Sequence, residues 1–326
     1  FLAAPLERFA NCAVMTLDGR GERATTTYGV WRGGRYRKLG EVVMPHSLGI
    51  LYERVTSHLG FLHSSDEYKV MALAAMGRPR WADVMAAKLR VRGGGHFVVG
   101  DIDLAAMTGP ARVPGSELTQ RDFDLAASLQ VVLERTVLEL AGWLREASGE
   151  RTLAMAGGVA LNCVMNSKLR DQGPFEAIWI QPAAGDAGTA LGAALWADAK
   201  ARGAAAGDSD GAQDEPAGQS LAPRVWAMEH AYWGPGFDDD SIESLLRWAG
   251  LAYERCDDEA ALADRAAELL AADHILGWFQ GRMEWGPRAL GARSIIASPI
   301  SPAMQQRLNE LKDREDFRPV APAVLR

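Results

Sequence analysis

Residues 152–201 read TLAMAGGVALNCVMNSKLRDQGPFEAIWIQPAAGDAGTALGAALWADAKA. Two apolar runs in this stretch, TLAMAG at 152–157 and AIWIQP at 177–182, have the length of buried strands and end in glycine or proline. Each passes through a turn, GGVALN in one case and AAGDAG in the other, into a run of helical character. The first helix opens near Cys163, and the second is built largely from small residues. Strand, helix, strand, helix is the alternation of an α/β domain.

The rest of the chain fits around this core. From Asp122 to about Ala147, apolar residues recur every three or four positions behind an acidic start, which predicts one long amphipathic helix. CAVMTLD at 12–18 and TTTYGVWRG at 25–33 form a predicted hairpin with Asp18 at its tip. PHSLGILYERVTSHLGF at 45–61 is helical, with Pro45 and Ser47 near its start, and a second helix begins near Glu67 and ends by Gly77. Gly93 to Gly115 reads as a surface excursion, a hairpin and a long loop. Residues 201–223 are rich in Ala, Gly, Asp and Ser, the composition of a flexible linker or loop. This divides the chain into a domain at 1–200 and a second at 224–326. In the second, DDDSIESLLRWAG and DEAALADRAAELLAA are helices with acidic starts, and HILGWFQ is a strand.

At 326 residues and 48% hydrophobic content the chain can bury a large core. A formal charge of -7 gives no general attraction to nucleic-acid backbones, so no nucleic-acid partner is expected. Cys12, Cys163 and Cys256 are far apart and odd in number, which predicts neither a disulfide framework nor a metal-ligand spacing. No apolar run is long enough to span a membrane, and the first residues lack signal-peptide character, so the expected setting is the cytoplasm.

Three turns and one arginine-rich segment carry the candidate chemistry. Asp18 and Gly19 place a carboxylate beside unobstructed backbone amides, which suits phosphate oxygens and a cation; an ordinary hairpin turn explains them too. Gly157 and Gly158 let a nucleotide approach the backbone at a helix start, with Asn162 placed to read it, while a plain strand-to-helix turn accounts for the glycines alone. Asp186 stands where ligands bind in open α/β sheets, although a helix-capping carboxylate is the simpler alternative. The segment GRMEWGPRALGARS at 281–294 sets Arg282, Arg288 and Arg293 on glycine-rich backbone, followed by Lys312, Arg314 and Arg318. Arginines so placed suit bidentate phosphate binding; a charged surface helix is the plain alternative.

The order of the DG, GG and GD turns resembles the phosphate and adenosine motifs of the actin-like (ASKHA) ATPase superfamily. More specifically, TLDGRGE, PHSLGILY, EYKVMALAAMG, AGGVALN, QPAAGDAG, GRMEWGPRALGARSI and LKDREDFRPVAPAVL occur in the order found in the ATP-dependent O-carbamoyltransferases. These enzymes decorate nodulation factors and antibiotics, the tobramycin enzyme among them. The resemblance implies an α/β actin-like domain, similar to threonylcarbamoyl transferases, followed by a YrdC-like α/β domain. ATP and carbamoyl phosphate would give carbamoyl adenylate, whose carbamoyl group passes to a hydroxyl of a sugar or natural-product acceptor. It also implies roles for residues. Asp186 would be a metal ligand and catalytic group, with iron as the metal and magnesium accompanying ATP. Asp18, Gly19, Gly157, Gly158 and Asn162 would hold the adenylate, and Glu67 and Lys69 would line the same cleft. The arginines, with Lys312, would grip phosphates in the other domain. His46 is a candidate base, and a homodimer is expected. The family's paired metal-binding histidines, in a HHxxHA motif, precede the first residue here, and the family continues past the last. The expectation is therefore a chain truncated at both ends and inactive on its own. A sugar kinase or ATPase, or a non-catalytic nucleotide-binding relative, would also explain the three turns, but neither accounts for the arginine segment.

Overall fold

The computed structural model describes residues 1–205, 219–256 and 258–324, so most of the predicted linker lies outside the described residues. The chain forms two compact units, Phe1–Glu229 and His230–Arg326.

The first unit is built on a mixed six-stranded sheet. Strands β1 (Cys12–Leu17), β2 (Ala24–Arg32) and β3 (Arg35–Val43) make an antiparallel meander. Next come helices α1 (Leu48–His58), α2 (Glu67–Ala74) and α3 (Ala82–Lys88), the hairpin β4 (Leu89–Arg92) and β5 (His96–Val99), and the short α4 (Leu104–Thr108). After the long α5 (Gln120–Ser148) the chain alternates: β6 (Thr152–Ala156), α6 (Cys163–Gln172), β7 (Ala177–Ile180), α7 (Thr189–Ala205) and the two-residue β8 (Gln219–Ser220). The sheet order is β7-β6-β1-β2-β3-β8, with β7, β6 and β1 parallel. The α/β expectation holds, and the sheet is mixed. Helix α7 and strand β8 also occupy both ends of the stretch predicted as linker.

Alternation along β1 sends side chains to two faces. Cys12 and Val14 join Phe9, Trp31, Ala154 and Ala199 in one buried cluster. On the other face Tyr28, the cross-strand partner of Met15, meets Trp143 of α5 edge-on at 4.9 Å. Helix α5 spans 29 residues because it is stopped at both ends. Asp122 accepts the Thr119 backbone N–H at 2.8 Å, and Gly149 closes the helix in the left-handed region at φ 70°.

The second unit contains α8 (Asp239–Trp248), α9 (Glu259–Ala271), the antiparallel pair β9 (Ile275–Phe279) and β10 (Arg293–Ala297), and α10 (Met304–Leu311). Asp238 and Asp258 cap α8 and α9, each accepting a backbone N–H at 2.8 Å. The arginine segment is the connection from β9 into β10, which excludes the surface-helix alternative.

Candidate functional site

The parallel strands β1, β6 and β7 end at the same edge of the sheet, and their next residues are Asp18-Gly19, Gly157-Gly158 and the turn reaching Gly185-Asp186. Ligands of open α/β sheets bind at such an edge. The three turns touch. A Cβ on Gly158 would lie 3.2 Å from the Asp18 carboxylate, and one on Gly185 would lie 4.0 Å from the Gly158 Cα. The Gly157 N–H donates to the Ala184 carbonyl at 2.7 Å, tying the second turn to the third. Glycine at 157 is required, since its φ is 101° and a Cβ would stand 2.0 Å from the Leu17 carbonyl oxygen.

Ser47 fixes the first turn, a role the sequence does not announce beyond a helix start. Its hydroxyl caps α1 by accepting the Ile50 N–H, and it lies 3.1 Å and 2.8 Å from the carbonyls of Asp18 and Gly19. Gly49 lets the helix come this close, because a Cβ there would be 2.5 Å from the Gly19 Cα.

Asn162 is tied to the protein at both ends of its amide. Its Oδ1 caps α6 by accepting the Met165 N–H at 2.9 Å, and its amide forms a reciprocal pair with the amide of Gln130, at 2.8 Å and 3.2 Å. Gln130 also accepts from the Tyr52 hydroxyl at 3.2 Å and donates to Glu134 at 2.9 Å, so its four hydrogen-bonding positions are filled. Burial, followed by the nearby Glu67 carboxylate, raises the Tyr52 phenol far above its usual value and keeps it a neutral donor. Asn162, 9% exposed, thus holds the GGVAL turn from behind. The signal for Gln130 was a lone amide inside the apolar stripe of the α5 sequence.

Glu67 and Lys69, two apart on α2, make different contacts. Glu67 accepts the Ser64 N–H at 2.7 Å and stands near Tyr52, whereas Lys69 pairs with Asp66 at 3.3 Å and lies over the Phe61 ring. His46 accepts the Val99 N–H at Nδ1 (3.3 Å), which places its ring against β5, in a pocket lined by β3 and the β4-β5 hairpin. Asp186 is exposed at the end of β7. A metal centre needs several ligands, and no three His, Cys, Asp or Glu groups are placed to hold an ion among the described residues. Asp186 by itself would offer an ion one exposed carboxylate.

In the second unit, Arg282 donates to the carbonyls of Gly234 (2.9 Å) and Trp233 (3.1 Å). Arg293 donates to those of Gln280, Gly281, Pro235 and Ala292 and stacks 3.4 Å above the Phe279 ring. Both guanidiniums bind the protein's own backbone where phosphate contacts were expected. The loop folds around Glu284, whose buried carboxylate accepts the N–H groups of Leu290 and Ala292, each at 2.7 Å, and of Arg293 at 3.3 Å. Burial works to raise this carboxyl, but those amide donors outweigh it and hold it at about 2. Arg288 is exposed. Arg314 donates to buried Asn309 at 2.6 Å, and its pKa is lowered by burial and then by neighbouring Arg318. Lys312 follows α10 directly.

The first unit is therefore an α/β scaffold with a glycine-lined ligand edge. The Carbamoyltransferase N-terminus model matches residues 1–195 and the Carbamoyltransferase C-terminus model matches residues 267–326. The chain belongs to the carbamoyltransferase family. It is 39% identical to nodulation protein NolNO of Sinorhizobium fredii, over 99% of this chain and 45% of that one. Nodulation protein NolO of Bradyrhizobium diazoefficiens is 36% identical over 99% of this chain and 56% of its own length. An uncharacterised protein of Synechocystis is 41% identical over 97% and 52%. The chain thus spans about half the length of these curated relatives. No helix among the described residues is long and apolar enough to cross a membrane.

Proposed function

We propose that the protein is an O-carbamoyltransferase in which the first unit, an actin-like domain, carries out the transfer and the second is part of a YrdC-like domain that makes carbamoyl adenylate from ATP and carbamoyl phosphate. The observation that carries this reading is the convergence of the DG, GG and GD turns at one sheet edge in a chain of the carbamoyltransferase family. The antiparallel meander followed by two parallel strands supports the actin-like assignment.

The adenylate lies along Asp18-Gly19 and Gly157-Gly158, where the backbone is bare enough for phosphate and ribose to approach. Asn162, Gln130 and Ser47 position these turns without touching the ligand. The acceptor hydroxyl oxygen attacks the carbamoyl carbon, and the bond from that carbon to the adenylate phosphate oxygen breaks. AMP leaves with the bonding pair, and the hydroxyl proton passes to solvent. Orientation of the hydroxyl and stabilisation of the leaving phosphate are what the protein supplies. The acceptor is a sugar or natural-product hydroxyl, and the reaction runs in the cytoplasm, where both phosphorylated substrates are made.

The test uses the full-length protein with ATP, with and without carbamoyl phosphate. Pyrophosphate release that requires carbamoyl phosphate is expected. ADP formation independent of carbamoyl phosphate would replace this reading with a kinase or ATPase.

A further inference from the structure

The same sheet edge carries a second feature that the glycine turns do not use. Beyond the DG turn, β2 begins and β3 ends, and together with the β4-β5 hairpin they line an open pocket of about 580 Å³ within the first unit. Its walls carry Arg23, Glu41, His46, Arg92 and His96, over an apolar floor that includes Val43, Phe97 and Val98. The volume is that of a small-molecule site.

The charges in this pocket are unbalanced. Glu41 is its one carboxylate, and it is already paired with Arg23 at 3.3 Å and with Lys38. Arg92 has no ion pair among the described residues, and it sits opposite His96 in the last cross-strand pair before the Gly93–Gly95 turn. An apolar floor with a cationic rim fits a compact ligand that has a hydrocarbon or sugar face and an acidic group.

The pocket's place in the sheet relates it to the transfer site. His46 lines it, and the next residue, Ser47, grips Asp18 and Gly19. Strand β3 is two positions from β1, so at about 4.8 Å per strand the pocket lies roughly 10 Å from the DG turn along the edge. A monosaccharide-sized molecule spans that distance.

We propose that this pocket binds the acidic group, carboxylate or phosphate, of the carbamoyl acceptor. The acceptor role rests on the transfer reading given above. The pocket's preference for an acidic ligand stands independently of it.

Isothermal titration of the full-length protein with glucose 6-phosphate, glucuronate, glucose and glucosamine tests the proposal. The acidic sugars are expected to bind at least tenfold more tightly than the neutral and cationic ones. Arg92→Glu, an exposed hairpin substitution, is expected to weaken the acidic sugars tenfold or more and to leave the affinity for AMP, the nucleotide part of the adenylate, within twofold. AMP and the acidic sugar are expected to bind together, as donor and acceptor must. Equal binding of all four sugars, or acidic binding that R92E leaves untouched, overturns the pocket assignment. Competition between AMP and the acidic sugar overturns its role as acceptor subsite. Failure of the protein to bind AMP, with acidic-sugar binding intact, would instead sink the transfer reading alone.

Discussion

Substituting the two adjacent glycines of the GGVALN turn separates the architecture of the site from its chemistry. In Gly157→Ala the new methyl would sit 2.0 Å from the Leu17 carbonyl oxygen and 2.5 Å from its carbon, both in the backbone of β1, which cannot swing aside as a side chain can. The backbone at Gly157, φ 101° and ψ 159°, is essentially closed to other residues. Strain of that kind costs about 1–3 kcal/mol, and overpacking adds about the same. Gly157→Ala should therefore lose about 3–5 kcal/mol of unfolding free energy. In Gly158→Ala the methyl meets only the Asp18 carboxylate oxygen, at 3.2 Å, and a small side-chain shift relieves it. That variant should stay within about 1 kcal/mol of the parent, yet bind AMP, the nucleotide part of the adenylate, at least tenfold more weakly, because the methyl occupies the approach to Asp18. Urea unfolding followed by far-ultraviolet circular dichroism measures the first quantity, and calorimetric titration with AMP the second. A Gly157→Ala protein as stable as the parent would refute the packing argument. A Gly158→Ala protein with full AMP affinity would refute the placement of the adenylate on this turn.

Further outcomes follow from other residues. Gln130→Leu strips partners from Tyr52 and Asn162 in a buried setting, so about 2–4 kcal/mol of stability should be lost in urea unfolding. Glu284, at about 2 in the fold against an ordinary 4.5, stabilises the second unit fully above pH 4.5, and this contribution, no more than about 3 kcal/mol, is lost as pH falls toward 2. Glu284→Gln should flatten the pH dependence of unfolding in that window, which acid titration followed by tryptophan fluorescence reads. Burial pushes the Cys12 thiol up to about 11, while Cys163 is exposed at the first position of α6 beside the GG turn. Alkylation followed by peptide mass mapping should label Cys163 long before Cys12, and bound AMP should slow labelling at Cys163. Arg282→Ala should lower the stability of the full-length protein by disconnecting residues 233 and 234 from the loop, whereas Arg314→Lys should chiefly weaken carbamoyl phosphate binding measured by titration.

What was legible in the sequence was local. Strands β6 and β7, helices α5 and α6 and the three glycine turns are written in runs of contiguous residues, and each formed where its pattern placed it. Strand β3 escaped notice because RYRKLGEVV has no clean apolar alternation: it lies at the far side of the meander with most of its residues only partly covered. Strand β10 and helix α10 were hidden behind the arginines that precede them. The Gln130–Asn162 pair joins residues 32 apart, and no pattern within either helix reports which distant amide will answer a buried one. For the same reason the sequence does not show that Asn162, beside the glycines, also caps α6 and pairs with Gln130.

The arginine segment shows why residue type alone cannot assign a role. A guanidinium on glycine-rich backbone can reach a phosphate, or it can fold back on carbonyls that the glycines leave bare, and the two uses have the same composition. Glu284 decides between them. Its carboxylate gathers three backbone N–H groups from residues 290–293, while Arg293 binds the carbonyls of Gln280, Gly281, Ala292 and Pro235 and Arg282 those of Trp233 and Gly234. Those two arginines are thus the frame of the segment. The pair Arg314 and Arg318 is different in kind. Asn309 steers Arg314 by a 2.6 Å bond; burial and then Arg318 disfavour the Arg314 charge, while Glu315, paired with Arg318 at 3.9 Å, favours it.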